Sequence, residues 1–424
     1  MDQALISSEA GVLAVLTGIC AFFFWLEKAT RWRLFQYVPP LVFIYLTPVL
    51  LSNTGVLVQW MGVDREAPSS PAAGVVAMTP AGVIPTSSPA YDAIKAFALP
   101  MMLVLMLLNV DVGRAVRLVG RGVGVMLFGS VGVIVGAALG TLAVRQWLEP
   151  NAWKAYGALA GSWVGGTGNL AAVSEALDAS GTEVGLAVLA DTLLLLLWVP
   201  VMLASKRIAA PFARFARVDE DRVAAMDAAI LADEREAPSA TYQEYLYLLF
   251  AAFAVTAVSQ FITQSITEFL TARKFVWPVH FSESTCRILL VTTIGIALSF
   301  TPLRRIVASR HLGMALVFLF MAQTGATANL AMAAEQAAPF LGGALICIAT
   351  HGAFCLLGAR LLRVDIHTAA IASAANIGGI ATASCVAAHH KESLMPAAIL
   401  LALLGYALGN YAGLMTAALC RMAM

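Results

Sequence analysis

Apolar runs of about 20 residues recur along this chain, and that is the length needed to cross roughly 30 Å of hydrocarbon as an α-helix. Inside lipid every backbone N–H and C=O must be satisfied by the chain itself, so only helices and closed barrels span a bilayer. The runs are continuous, whereas a transmembrane barrel shows alternating segments of about ten residues. The pattern predicts apolar helices at about 10–27, 34–51, 91–109, 122–147, 182–205, 241–264, 286–303, 312–331, 338–361 and 394–420. Two further segments, 154–178 and 366–388, are apolar but interrupted by small and polar residues. The fold class that follows is an all-α polytopic membrane protein in contact with the lipid bilayer.

Composition agrees. The chain is 60% hydrophobic and 12% charged, against about 25% charged for a soluble domain. A net charge of +1 points to neither nucleic acid nor an acidic partner. The six cysteines, Cys20, Cys286, Cys347, Cys355, Cys385 and Cys420, lie in or beside apolar runs without CxxC spacing, and read as small buried hydrophobes. The opening residues MDQALISSE lack the basic stretch of a signal peptide, so the first apolar run is expected to be a retained helix.

Two polar stretches break the pattern. One is 61–90, rich in Pro, Gly and Ser, and the other is 206–240, with KRIAAPFARFARVDEDR and ADEREAPS. The second divides the chain into a membrane repeat at 1–205, a polar cytoplasmic linker at 206–240 and a second membrane repeat at 241–424. The pairs Gly165-Gly166 and Gly378-Gly379 stand 213 positions apart. The same ungapped shift carries Met101, Leu103 and Val104 onto Met314, Leu316 and Val317, and Gly129 onto Gly342. A shift that holds over several segments points to duplication.

Lys and Arg concentrate in cytoplasmic loops. The rich loops hold Lys28/Arg31/Arg33, Arg114/Arg117/Arg121, Lys206/Arg207/Arg214/Arg217, Arg304/Arg305/Arg310 and Arg360/Arg363. If every segment crosses fully, three crossings separate Arg121 from Lys206 and place them on opposite sides. The conflict disappears if 154–178 enters and leaves on one side. The expectation is two inverted repeats, each of about five transmembrane helices plus a re-entrant or broken helix. Segment 154–178 then enters from outside, 366–388 enters from inside, and both chain ends lie outside. Twelve crossings with broken helices stay open.

The interrupted segments read GALAGSWVGGTGNLAAVSEAL and AIASAANIGGIATASCVAAHH. Glycine pairs tolerate unusual φ/ψ. In transporters, half-helix N-termini at such breaks face anionic groups, while freed carbonyls and hydroxyls bind Na⁺. The candidate substrate- or ion-binding residues are Ser162, Gly165, Gly166, Thr167 and Asn169 in the first segment, and Asn376, Gly378, Gly379, Thr382 and Ser384 in the second. The alternative is helix packing, since small residues let membrane helices approach.

The GGTG of Gly165 to Gly168 is similar to the GGxG pore-loop pattern of the 2-hydroxycarboxylate and glutamate:sodium symporter families. The wider run GSWVGGTGN, with Asp191 following and ANIGG in the second half, more closely resembles the YjcL-like family of uncharacterised bacterial membrane proteins. That resemblance covers most of the chain. It implies kinship with the bile acid, arsenite and riboflavin transporters, whose core of crossed broken helices moves against a panel domain. It implies a transporter and names no substrate. The second copy reads Gly378-Gly379-Ile380-Ala381, without the final glycine, so the two hairpins need not act equally.

Ionisable groups inside a membrane are costly, and functional by default. Asp191 lies within the Val-Leu-rich helix 182–205, where it can stay protonated or pair with a cation; either would couple transport to H⁺ or Na⁺. The alternative is a structural partner for a hydroxyl or for Trp198. Glu175 ends the first segment, where it either reaches the same cavity or is a solvated end. His351 is expected to be a packed, hydrogen-bonded side chain. Gln323, Thr324, Thr327 and Asn329 form a polar stripe that either lines a pathway or bonds between helices. Asp111, Arg114 and Arg117 read as an ordinary helix end.

The function expected is an ion-coupled (Na⁺ or H⁺) secondary transporter of a small, anionic organic solute, working by alternating access in the bacterial inner membrane. A homodimer is compatible with this. No phosphate-binding loop of the GxxxxGK[ST] type is present. No catalytic set such as HExxH or GxSxG is present either, so an intramembrane enzyme is the weakest alternative. A channel or membrane sensor stays open. No cofactor or metal is expected beyond Na⁺ as a coupling ion.

Overall fold

The computed structural model describes residues 4–30, 32, 35, 40–54, 82–232, 241–272, 283–306 and 308–424. Arg31, Arg33, most of the polar stretch 61–90 and the end of the 206–240 stretch lie outside the described residues.

The helices are α1 (Glu9–Thr30), α2 (Pro40–Ser52), α3 (Pro89–Leu107), α4 (Val112–Val119), α5 (Arg121–Val144), α6 (Ala152–Ala176), α7 (Gly181–Ala204), α8 (Ala209–Ala216), α9 (Glu220–Ala232), α10 (Tyr242–Ala272), α11 (Glu283–Leu298), α12 (Ala308–Ala326), α13 (Leu330–Leu362), α14 (Ile366–Asn376), α15 (Gly379–His390) and α16 (Met395–Ala423). No strand occurs among the described residues. Local chemistry sets several starts. Ser180 and Glu183 form a capping box at α7, and the Asp111 and Asp365 side chains cap α4 and α14.

Among the described residues seven helices are long and apolar enough to cross a membrane: α1, α3, α5, α7, α10, α13 and α16. The sequence pattern predicts ten crossings. The other three coincide with α2, a shorter apolar helix, and with α11 and α12, which are not among the seven. The chain is a multi-pass α-helical membrane protein. The 206–240 stretch differs from a plain linker, because its alanine-rich pieces AAPFARFA and EDRVAAMDAAILA form α8 and α9, as alanine's helix propensity favours.

Two antiparallel pairs form the centre. Along α5 and α13, a Cβ on Gly132 would stand 2.9 Å from the His351 Cα, and one on Gly136 would stand 2.7 Å from the Cys347 carbonyl; Gly140 meets Gly343 backbone to backbone. Along α6 and α16, a Cβ on Gly157 would meet Ala417 at 2.7 Å, and one on Gly409 would meet the Gly165 Cα at 2.7 Å. Glycines four residues apart let membrane helices close to backbone contact, where dispersion takes over from the hydrophobic effect as the packing force. Tyr156 seals the seam, its ring centroid 4.4 Å from that of Phe340 and its hydroxyl donating to the Phe340 carbonyl at 3.3 Å. Helices α1, α2, α3, α10, α11 and α12 flank this centre.

The helix ends sort into two sets. At one end the Arg121 guanidinium donates to the Leu362 carbonyl, Arg304 pairs with Asp111, and Lys206 donates to the His389 carbonyl. At the other end Arg145 donates to the Ala423 carbonyl, and the Glu149 N–H donates to Gln336. The arginine-rich corners therefore gather at one end of the bundle.

Candidate functional site

Each interrupted segment breaks at its glycine pair. Gly166 has φ 76° and ψ −178° inside α6, while Gly378 (φ 109°) and Gly379 (φ 64°) separate α14 from α15. These backbone angles favour glycine because a Cβ would clash. Past the break the chain folds back on itself. A Cβ on Gly161 would lie 2.9 Å from the Val173 side chain, and one on Gly157 would lie 2.8 Å from Leu177. In a straight helix residues 157 and 177 would stand about 30 Å apart. The Lys154 ammonium accordingly donates to the Asp178 carbonyl at 2.8 Å. In the second segment the His367 and His390 rings meet, Nδ1 to Nδ1, at 3.0 Å. The first segment begins and ends near Arg421 and Met424, and the second ends beside Lys206 at the arginine-rich end.

The first limb of each segment is gripped by α7. Asp191 accepts from the Ser162 hydroxyl at 3.1 Å and from the Trp163 indole N–H at 2.9 Å. Two turns along α7, the Trp198 indole donates to the Ser373 hydroxyl at 3.0 Å. Ser373 lies 2.9 Å from His351 Nε2, and His351 Nδ1 lies 2.9 Å from the Gly129 carbonyl. A carbonyl can only accept, so the proton sits on Nδ1 and Ser373 donates to Nε2. Trp198 therefore bonds Ser373 and not Asp191, whose indole partner is Trp163. The structural alternative for Asp191 thus finds the fixed donors it requires. No cation pairs with Asp191 among the described residues.

The two asparagines are held in place. Asn169 donates to the Gly165 carbonyl at 2.8 Å and to the Tyr406 carbonyl of α16 at 3.1 Å. Asn376 donates to the Met126 carbonyl of α5 at 2.9 Å and accepts from Ser130 at 3.4 Å. Gly165 is a packing position, since a Cβ there would run into the Asn169 amide and stand 2.8 Å from the Gly405 carbonyl. Thr167, Thr382 and Ser384 differ. They are half-buried and make no hydrogen bond among the described residues. A Cβ on Gly379 would meet nothing within 4 Å. The second break therefore has room at Gly379, whereas at Gly378 a Cβ would run into the Thr382 side chain and stand 2.9 Å from Leu195.

Other candidates lie elsewhere. Glu175 is not a solvated end: it pairs with Arg287 at 3.6 Å and Lys95 at 3.9 Å, tying α6 to α11 and α3. Lys95 reaches it from a π-helical turn over Ile94–Ala98. The polar stripe lies where the end of α12 meets α2 and the start of α7. Thr324 and Thr327 bond their own backbone, the Thr182 hydroxyl accepts from the Asn329 N–H, and the Gln323 amide is buried without a hydrogen bond among the described residues. Cys385 is exposed, unlike the buried role expected of it. Sequence reasoning missed Trp163, Ser130, Ser373 and Tyr406 as contributors. Trp163 was legible as an indole one residue from Ser162 in an apolar run, whereas the other three are set by tertiary pairing alone.

Residues 71–423 match the family described as "Protein of unknown function (DUF819)". The chain is also 26% identical over 347 residues to the "Uncharacterized membrane protein YjcL" of Bacillus subtilis (strain 168), across 80% of this chain and 86% of that protein. With most of its length inside the match, this multi-pass membrane protein belongs to the DUF819 family.

Proposed function

We propose that the protein is a secondary transporter, driven by Na⁺ or H⁺, for a small anionic organic solute. The observation that carries this is the pair of glycine-broken, folded-back segments whose bases lie at opposite ends of the bundle. Broken segments place half-helix ends and free oxygens at mid-depth, where transporters bind substrate and coupling ion. The hydroxyls of Thr167, Thr382 and Ser384, half-buried at the two breaks and without a hydrogen bond among the described residues, supply free oxygens for such a site. The reading takes the two halves as inverted repeats and the broken segments as re-entrant hairpins. It places the arginine-rich end in the cytoplasm of a bacterial cell and assigns no enzymatic step.

Coupling runs through α7 in this reading. A carboxylate in apolar surroundings with two donors is stabilised further by a proton or a cation. Those donors belong to the first hairpin, so proton or cation occupancy at Asp191 changes how that hairpin is held. Trp198, on the same helix, passes the change to the second hairpin through Ser373. Purified protein in proteoliposomes, offered a panel of labelled organic acids with and without Na⁺ and pH gradients, tests the reading. Gradient-dependent accumulation of at least one solute is expected. Flux that ignores both gradients would make the protein a channel.

A further inference from the structure

A cavity of about 310 Å³ lies at the arginine-rich end, away from the broken segments' tips. It is walled by the α4–α5 corner, by α9 and by the α13–α14 corner. We propose that this cavity binds a phosphate-bearing ligand with an apolar body, and that this ligand fastens α9 to the base of the second broken segment.

Four arginines line the cavity, Arg117, Arg121, Arg222 and Arg363, against two carboxylates, Asp219 and Asp365. The carboxylates are already engaged. Asp219 pairs with Arg222 at 3.6 Å, and Asp365 accepts from the Thr368 N–H at 3.0 Å and hydroxyl at 2.8 Å. Arg121 braces the two corners through the Leu362 carbonyl at 3.0 Å. Arg117 and Arg363 have neither an ion pair nor a hydrogen bond among the described residues. Among the described residues two of the guanidiniums that line the cavity thus have no ion-pair partner, and a guanidinium's planar fork matches phosphate oxygens two at a time.

The backbone adds to this field. The 24-residue helix α5 begins in the cavity wall at Arg121, and its cap residue Gly120 has no side chain to accept from the first-turn N–H groups. Those amides, with the helix dipole behind them, favour an anion. Arg363 holds φ 57° at the end of α13, a place glycine ordinarily takes, so an arginine there is kept at a conformational cost. Between the charges the wall is apolar, with Leu118, Val223 and Met226. A bare inorganic ion would leave that surface unfilled. An acyl chain beneath a phosphate, or a nucleobase attached to one, would cover it. Basic pockets between transmembrane helices bind phospholipid headgroups by this chemistry, and a soluble nucleotide offers the same phosphate.

Full-length protein in detergent tests this by native mass spectrometry and thermal shift. The probes are short-chain phosphatidylglycerol, short-chain phosphatidylcholine and ADP. Saturable binding of phosphatidylglycerol or ADP is expected, and which one binds identifies the source. Arg117→Gln/Arg363→Gln should weaken that binding at least tenfold, while Arg207→Gln/Arg214→Gln, an equal loss of charge outside the cavity, should not. Ala225→Trp, which fills the cavity from α9 and keeps every charge, should also abolish binding. It serves as the second arm if the double variant does not fold. No saturable binding of either anionic probe would overturn the proposal. Equal weakening by the two double variants, or binding unchanged by Ala225→Trp, would overturn it too.

Discussion

Asp191 and Trp198 stand two turns apart on one side of α7, and each binds the first limb of a different broken segment, Asp191 through Ser162 and Trp163, Trp198 through Ser373. Residues seven apart project from nearly the same side of a helix. One rigid helix therefore touches both breaks.

Trp163→Phe keeps the ring and removes the N–H that Asp191 accepts. A buried acceptor left short of a donor costs about 1–3 kcal/mol, so the variant should melt earlier in detergent. Ser162→Ala, at the longer bond, should cost less. Equal stability of wild type and Trp163→Phe would show that this bond does not hold the hairpin.

The glycine pairs should divide by cause. Gly166→Leu places a side chain at φ 76° with Tyr406 only 3.1 Å from its Cβ, and is expected to insert yet lose transport. Gly379→Ala meets open space and pays only for its left-handed backbone, about 1–2 kcal/mol, so part of the transport should survive. Near-normal uptake by Gly166→Leu would reduce the pair to a packing feature.

Much of this was legible in the sequence, and the limits were physical. Hydrophobic length located the helices, and the two Gly-Gly pairs, which define the 213-position shift, contain Gly166 and Gly379, both of which hold positive φ. Side-chain partners were less legible because they depend on which helices cross. Trp198 was a reasonable neighbour for Asp191 within α7, yet its indole turns to Ser373, far along the chain. Glu175 gave no hint of Arg287, which approaches from another helix. The alanine content of 206–240 did encode α8 and α9, but polar flanks obscured it.

Glu175→Gln should act on stability and not on coupling. It leaves Arg287, a largely buried side chain at 15% exposure, without its partner, at a cost of about 1–3 kcal/mol after screening. Inserted protein should keep the ion dependence of uptake, and a changed ion dependence would move Glu175 into the coupling machinery.

Single cysteines in a cysteine-free background test the hairpin topology. Asn151, Asp178 and Met424 should label from one face, and Asp219 and Lys391 from the other. Labelling of Asn151 and Asp178 from opposite faces would show that the first broken segment crosses the membrane.

The most direct test is gradient-driven uptake by Asp191→Asn in proteoliposomes, beside wild type. The substitution keeps size and hydrogen bonding and removes the titratable charge. The account predicts a folded protein whose accumulation falls at least tenfold or loses its Na⁺ or pH dependence, while exchange without a gradient survives. Full accumulation with unchanged ion dependence would contradict coupling through Asp191.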